Sequence, residues 1–229
     1  NMRLKILALL SAIGFFLSIA SAQAGGLGIG VVGNMTTFNT SGTETEGDAA
    51  SNGDVEQNTG SIESDADFGS IFVEYAFGGD EAGAGMTFGV EHIPGTASLG
   101  ARTRSDSNSE GDTQDITGKA EISEYYAVYV EPTFYINETW GAYAKLGAHN
   151  LTVNTLETGG NSSYGNDRIW GASWGVGVRG IHTSGVFAKV EYLDTEYQSV
   201  ELESATGNKN KIEAKPTSES IRLAIGFQF

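Results

Sequence analysis

From Leu27 onward the chain repeats one pattern eight times: residues of alternating polarity, bounded by polar or glycine-rich stretches. The segments are Leu27–Phe38, Phe68–Phe77, Gly85–Ile93, Glu124–Ile136, Trp140–Val153, Arg168–Gly180, Gly185–Tyr197 and Ser218–Phe229. Trp170, Ala172, Trp174, Val176 and Val178 share one face of the sixth, and Gly171, Ser173, Gly175, Gly177 and Arg179 the other. Period-2 alternation of this length predicts β-strands with two chemically distinct faces. The connections alternate as well. Gly78–Ala84, Asn137–Thr139 and Ile181–Ser184 are short, whereas Asn39–Asp67 and Pro94–Ser123 each run to about thirty residues. A compact soluble domain rarely carries several long structureless loops. An even strand count with short turns at one end and long loops at the other predicts an all-β fold, an eight-stranded antiparallel up-and-down transmembrane β-barrel with four long extracellular loops.

Charge decides which face points inward. One face is free of charge through the middle of all eight segments. The other carries Glu74, Glu91, Glu131, Lys145, Arg179, Lys189, Glu191 and Arg222, four acids and four bases. A Lys or Arg facing lipid at mid-depth costs roughly 2–4 kcal/mol, so the charged face belongs inside. There an unpaired ion costs several kcal/mol by order of magnitude, which favours a neutral set. The eight residues are therefore expected to form a charge ladder in the lumen. An eight-stranded barrel is just wide enough to be filled by side chains, here Tyr125, Tyr129, Tyr143, Phe72 and Phe187, with Gly171, Ser173, Gly175 and Gly177 making room. Phe77, Phe134, Trp140, Phe227 and Phe229 near one set of strand ends, and Phe38, Tyr126, Trp170, Trp174 and Tyr192 near the other, are expected to form two interfacial belts.

Composition refines this picture. The 229 residues include 29 Asp+Glu against 13 Lys+Arg, no Cys and 32 Gly, for a formal charge of −16. Without Cys there is no disulfide framework and no thiolate-bound metal. Such acidity argues against nucleic acid as a partner. Met2–Ala24 reads as a signal peptide: Arg3 and Lys5, an apolar run from Ile6 to Ala20, then small residues at Ala22 and Ala24 that place cleavage after Ala24. Asn1 reads as extraneous. The expected organisation is a signal peptide over 1–24 and a barrel over 25–229. Removing two bases leaves −18, and the first long loop contributes eight acids and no base, from Glu44 to Asp67. Such a loop is open to a surface ligand, although nothing in it names one.

The C-terminal run Ile221-Arg-Leu-Ala-Ile-Gly-Phe-Gln-Phe229, with Tyr143-Ala-Lys-Leu-Gly147 and Trp174-Gly-Val-Gly-Val-Arg179, resembles the small outer-membrane β-barrels of Gram-negative bacteria, of the OmpA transmembrane domain, OmpX and opacity-protein type. The resemblance implies outer-membrane lipid and lipopolysaccharide as surroundings. It also implies that Ile225, Phe227 and Phe229 form the signal read by the barrel assembly machinery. The implied role is non-enzymatic, in envelope structure or cell-surface contact. A narrow porin-like channel for small solutes is the alternative, and a lipid-A-modifying enzyme follows it.

Three motifs invite other chemistry. Gly28-Ile-Gly30-Val-Val-Gly33 matches a dinucleotide fingerprint in spacing, but no strand precedes it and no helix follows. Asp106–Asp112 has calcium-loop spacing, but Thr117 stands where a bidentate Glu is needed. Among the three histidines, His92 has lipid-side parity without a serine two residues away, His149 faces the lumen, and His182 lies in a turn. No cofactor, metal or catalytic residue is therefore expected.

Overall fold

In a computed structural model the described residues are 26–46, 56–78, 81–107, 113–158, 163–206 and 210–229. The expected signal peptide, with Ala22 and Ala24, lies outside them, as do Asp48, Asp54 and most of the calcium-like motif. Ten strands form: β1 (Gly26–Glu46), β2 (Glu56–Phe77), β3 (Gly83–His92), β4 (Thr96–Ser107), β5 (Thr113–Tyr135), β6 (Trp140–Thr158), β7 (Asp167–Ile181), β8 (Val186–Tyr197), β9 (Val200–Glu203) and β10 (Lys211–Gln228). Eight of them close a ring in the order β1-β2-β3-β5-β6-β7-β8-β10, with β10 pairing back onto β1. All pairings are antiparallel. Closure satisfies the backbone groups that an open sheet edge would leave unpaired in hydrocarbon. β4 continues β3 beyond Ile93, Pro94 and Gly95 and pairs with β5. β9 continues β8 and pairs with β10.

The strands run well into the segments expected to be loops. β1 and β2 pair without a register shift from Gly26↔Ala76 to Glu46↔Glu56, and β4 and β5 form a second long hairpin. The cause lies in which face changes composition. Beyond the membrane the outward positions turn polar (Glu63, Asp65, Asp67), while inward positions of the same strands stay apolar or small (Phe38, Ala66, Phe68). Outward polarity marks the exit from lipid rather than the end of the strand. Cross-strand pairs such as Thr37 with Asp65 at 2.8 Å and Thr103 with Thr117 at 2.8 Å stitch the protruding hairpins.

The lipid-facing surface is apolar and exposed, from Ile29 and Val31 in β1 to Leu223 and Ile225 in β10. Phe134, Trp140, Phe227 and Phe229 project at the short-turn end, and Tyr126, Trp170 and Trp174 at the other. Phe38 does not join the outer belt. It shares the parity of Val32 and Asn34, points inward and is 6% exposed.

Inside, large rings lie over glycines on the neighbouring strand. Tyr129 pairs in register with Gly89, and Tyr143 with Gly177. A Cβ at Gly89 would fall 2.2 Å from the Tyr129 ring, and one at Gly177 2.5 Å from the Tyr143 ring. Phe72 over Gly30 and Phe187 over Gly226 repeat the arrangement. Missing side chains on one strand thus make the space that an aromatic from the next strand fills. Gly177→Val is therefore expected to lower the urea-unfolding midpoint, by an amount equivalent to about 1–3 kcal/mol. Gly118→Ala, where an added Cβ meets nothing within 4 Å, should leave the midpoint almost unchanged.

Candidate functional site

The lumen is the chemically distinctive part of the molecule. Strand alternation brings one or two charged side chains inward from each of β2, β3, β5, β6, β7, β8 and β10, and the strand tilt staggers them in height. Together they form one chain of ion pairs with alternating sign. At the short-turn end Arg179 Nη1 lies 3.7 Å from Glu74 Oε1. Lys189 Nζ bridges Glu74 and Glu131, reaching Glu131 Oε2 at 2.8 Å. Lys145 Nζ links Glu131 at 3.2 Å to Glu191 at 3.1 Å. Arg222 then joins Glu191 through Nη1 at 2.7 Å to Glu91 through Nη2 at 2.6 Å. All eight side chains are buried, none more than 5% exposed.

Neutral donors add to the shell, leaving Arg179 Nε buried without a hydrogen-bond partner among the described residues. The Tyr129 hydroxyl donates to Glu74 at 2.9 Å and that of Tyr143 to Glu191 at 2.8 Å. Ser70 donates to Glu91 at 2.6 Å, and Arg222 Nε donates to Asn34 Oδ1 at 2.7 Å. The Lys145 ammonium sits 3.9 Å above the centre of the Tyr129 ring, where the ring quadrupole attracts it. A charge removed from water is tolerated when its lone pairs and protons are met in this way.

Above Arg222 the lumen changes character. His149 lies between the Tyr125 hydroxyl, 2.6 Å from Nδ1, and Ser173 Oγ, 2.6 Å from Nε2. Beside it a void of about 20 Å³ is lined by Asn34, Thr36, Tyr125, His149 and Arg222 among others. That is room for about one water. Higher still, Phe38, Ile122, Leu151, Val153, Ile169 and Leu202 form an apolar cluster across the protruding barrel.

A family model described as outer membrane protein beta-barrel domain matches residues 7–229. The chain belongs to this family. Its place is therefore the outer membrane of a Gram-negative bacterium. No curated protein matches the sequence. Among solved structures the chain is similar to Ail, the attachment invasion locus protein of Yersinia pestis (14% identity, TM-score 0.35, covering 86% of this chain and 97% of that one). It is similar also to Neisserial surface protein A (11% identity, TM-score 0.42, 90% and 100%) and to the outer membrane protease OmpT from Escherichia coli (10% identity, TM-score 0.45, 89% and 97%).

In this outer-membrane barrel the eight charged residues singled out from the sequence come together in one network. Ile225, Phe227 and Phe229 lie apart from it, on the lipid side of β10 at the ring's closing seam. There the Phe229 amide donates to the Leu27 carbonyl at 2.8 Å, and the Phe227 and Phe229 rings meet edge to face at 5.0 Å. His92 stacks on Tyr126 at 4.5 Å and donates from Nδ1 to the Tyr125 carbonyl at 2.9 Å. His182 contacts Ser184 within a short turn. Among the described residues no group of three or more His, Asp or Glu side chains is arranged to hold a metal ion. Two features escaped the sequence reading. The Tyr125–His149–Ser173 bridge joins three strands, and its signal is only the inward parity of each residue. The apolar cluster was legible only in part: Phe38, Leu151, Val153 and Ile169 lie near the ends of expected strands, whereas Ala66, Ala97, Ile122 and Leu202 fall in segments that read as loops.

Lys189→Met tests the network where it is densest. It leaves two buried carboxylates, Glu74 and Glu131, sharing Arg179 and Lys145. The expected loss is about 3–5 kcal/mol, read as a lower urea midpoint in lipid vesicles. Lys211→Ala, which removes an exposed pair with Glu203 at 3.5 Å, should change it by less than about 1 kcal/mol.

Proposed function

We propose that this chain is a non-enzymatic, non-conducting outer-membrane barrel that contributes to envelope structure and presents its long hairpins at the cell surface. The observation that carries this reading is the ion-pair chain, whose eight members are all buried in the lumen between Arg179 and Glu91. An ion crossing the barrel would have to part seven successive contacts between fully buried charges. The apolar cluster above adds a dry barrier. Orientation follows from the general habit of such barrels, with short turns in the periplasm and long hairpins outside. The lipid-facing belt then meets phospholipid on one side and lipopolysaccharide on the other. The outward Glu63, Asp65, Asp67, Glu201 and Glu213 form an acidic surface above the membrane.

Two features support the non-enzymatic reading. Ser173 and His149 make a hydrogen-bonded pair, but both are buried, at 6% and 3% exposure, between the ion chain and the apolar cluster. A substrate carbonyl has no path to them. His92, nearer the lipid, uses its Nδ1 on the backbone and its ring face on Tyr126.

Planar-bilayer recording distinguishes the closed barrel from the narrow channel. The purified protein is expected to give no steady ion-selective openings, and regular openings would assign it the channel role instead. A separate assay addresses the terminal strand, which we propose is the part recognised by the assembly machinery. Deleting Phe229 should reduce the amount of folded barrel in the outer membrane without reducing export to the periplasm. An undiminished outer-membrane yield would remove that role from Phe229.

A further inference from the structure

We infer that the protruding half of the barrel holds a binding cup for a neutral apolar molecule, a role separate from closing the lumen. Beside the apolar cluster a cavity of about 690 Å³ remains, walled by Phe38, Ile62, Leu99, Ala120, Tyr164 and Ile212. That volume lies within the range of small-molecule sites, which are mostly apolar with a few polar groups.

Two observations set this cavity apart from loose packing. The first is Ile62. It has the inward parity of buried Ala66 and Ser70, in a register with β1 that runs without a shift, yet it is 49% exposed. An inward isoleucine reaches solvent only where the interior is open. The second is a side opening. Below Ile71, β2 pairs with β3 as far as Phe77↔Met86. Beyond Ile71 and His92 the pairing stops. The chain bends at Pro94 and Gly95, the latter at φ 94°, and continues as β4, which pairs with β5. Among the described residues β2 and β4 share no backbone ladder, and the Ser64 hydroxyl bridges them by donating to the Leu99 carbonyl. Ile62, Ser64 and Leu99 all line the cup, so the gap between β2 and β4 leads into it.

The surroundings select the occupant. The floor is the packed cluster of Phe38, Ile122 and Leu151, so a guest can bind but cannot pass down the lumen. Glu63, of outward parity, borders the cup at its side opening, and Glu44 stands beside it, accepting from the Tyr164 hydroxyl at 3.3 Å. Lys119 also lines the cup, but its ammonium is engaged by Glu121. In a chain of net charge −16 this setting repels an anionic headgroup and leaves a neutral alkyl or aryl compound as the guest.

The test is a methyl-NMR titration of the folded protein in lipid nanodiscs with 1-dodecanol. Saturable shifts are expected at Leu99, Ala120 and Ile212, while the lipid-facing methyls of Leu223 and Ile225 shift in simple proportion to the alcohol dissolved in the lipid. Dodecanoate, the anionic counterpart, should bind several-fold more weakly. Ala120→Trp, which fills the cup, should abolish the saturable shifts. If that variant fails to fold, Ile212→Asp, which charges the wall, should do the same. Proportional shifts at every methyl, or unchanged saturation in the variants, would overturn the proposal. Its failure leaves the bilayer-conductance result untouched, and a conducting barrel with a saturable cup would refute only the closed-lumen reading.

Discussion

An eight-stranded barrel in a membrane is dry on both sides of its wall. Lipid removes water from the outside, and a narrow bore filled by side chains removes it from the inside. Every polar group in the wall or lumen must then find its partner within the protein. For the backbone this is met by ring closure, β10 pairing back onto β1. For the lumen it is met by charge balance: four carboxylates and four cations placed so that each ion touches an ion of opposite sign. The −16 of the chain therefore cannot reside in the bore. It is carried by outward and loop positions, where water screens it.

Much of the interior architecture follows from serving that ion chain. The tyrosines that donate to Glu74 and Glu191 are large, and they reach the middle of the bore because glycines on the adjoining strands give way to them. The abundance of glycine and the burial of charge are thus one solution. The arginines of the chain, Arg179 at one end and Arg222 next to the other, present several donors in a fixed fork, which lets Arg222 hold two carboxylates and Asn34 at once. Beyond Arg222 the demand for pairing ends. The lumen passes through the His149 bridge to an apolar cluster with an open cup beside it.

The sequence was most legible where both faces were under strong selection by solvent. Within the membrane the outward residues must be apolar and the inward charges must sum to zero, so strand positions, ring size and the eight charged residues could be read from parity and arithmetic. It was least legible above the membrane. There the outward face of β1, β2, β4 and β5 is as polar as a loop, and Glu63, Asp65 and Asp67 masked the inward parity of Ile62, Ala66 and Phe68. Phe38 was misplaced for the same reason, since its position near a strand end outweighed its even parity with Val32 and Asn34. Which acid meets which base was not legible at all. It depends on strand stagger, which a one-residue change in register would redraw.

The claim on which the rest depends is that the buried charges act as one connected chain and not as eight separately tolerated ions. A double-mutant cycle on Glu91 and Arg222, followed by urea unfolding in vesicles, addresses it directly. Arg222→Met should lower the midpoint substantially because it strands the Glu91 carboxylate in the dry bore, and Glu91→Gln should lower it less because Arg222 keeps Glu191. The double variant should lose clearly less than the two losses combined, since the Glu91 carboxylate that Arg222→Met strands is then absent. Strictly additive losses would contradict the account.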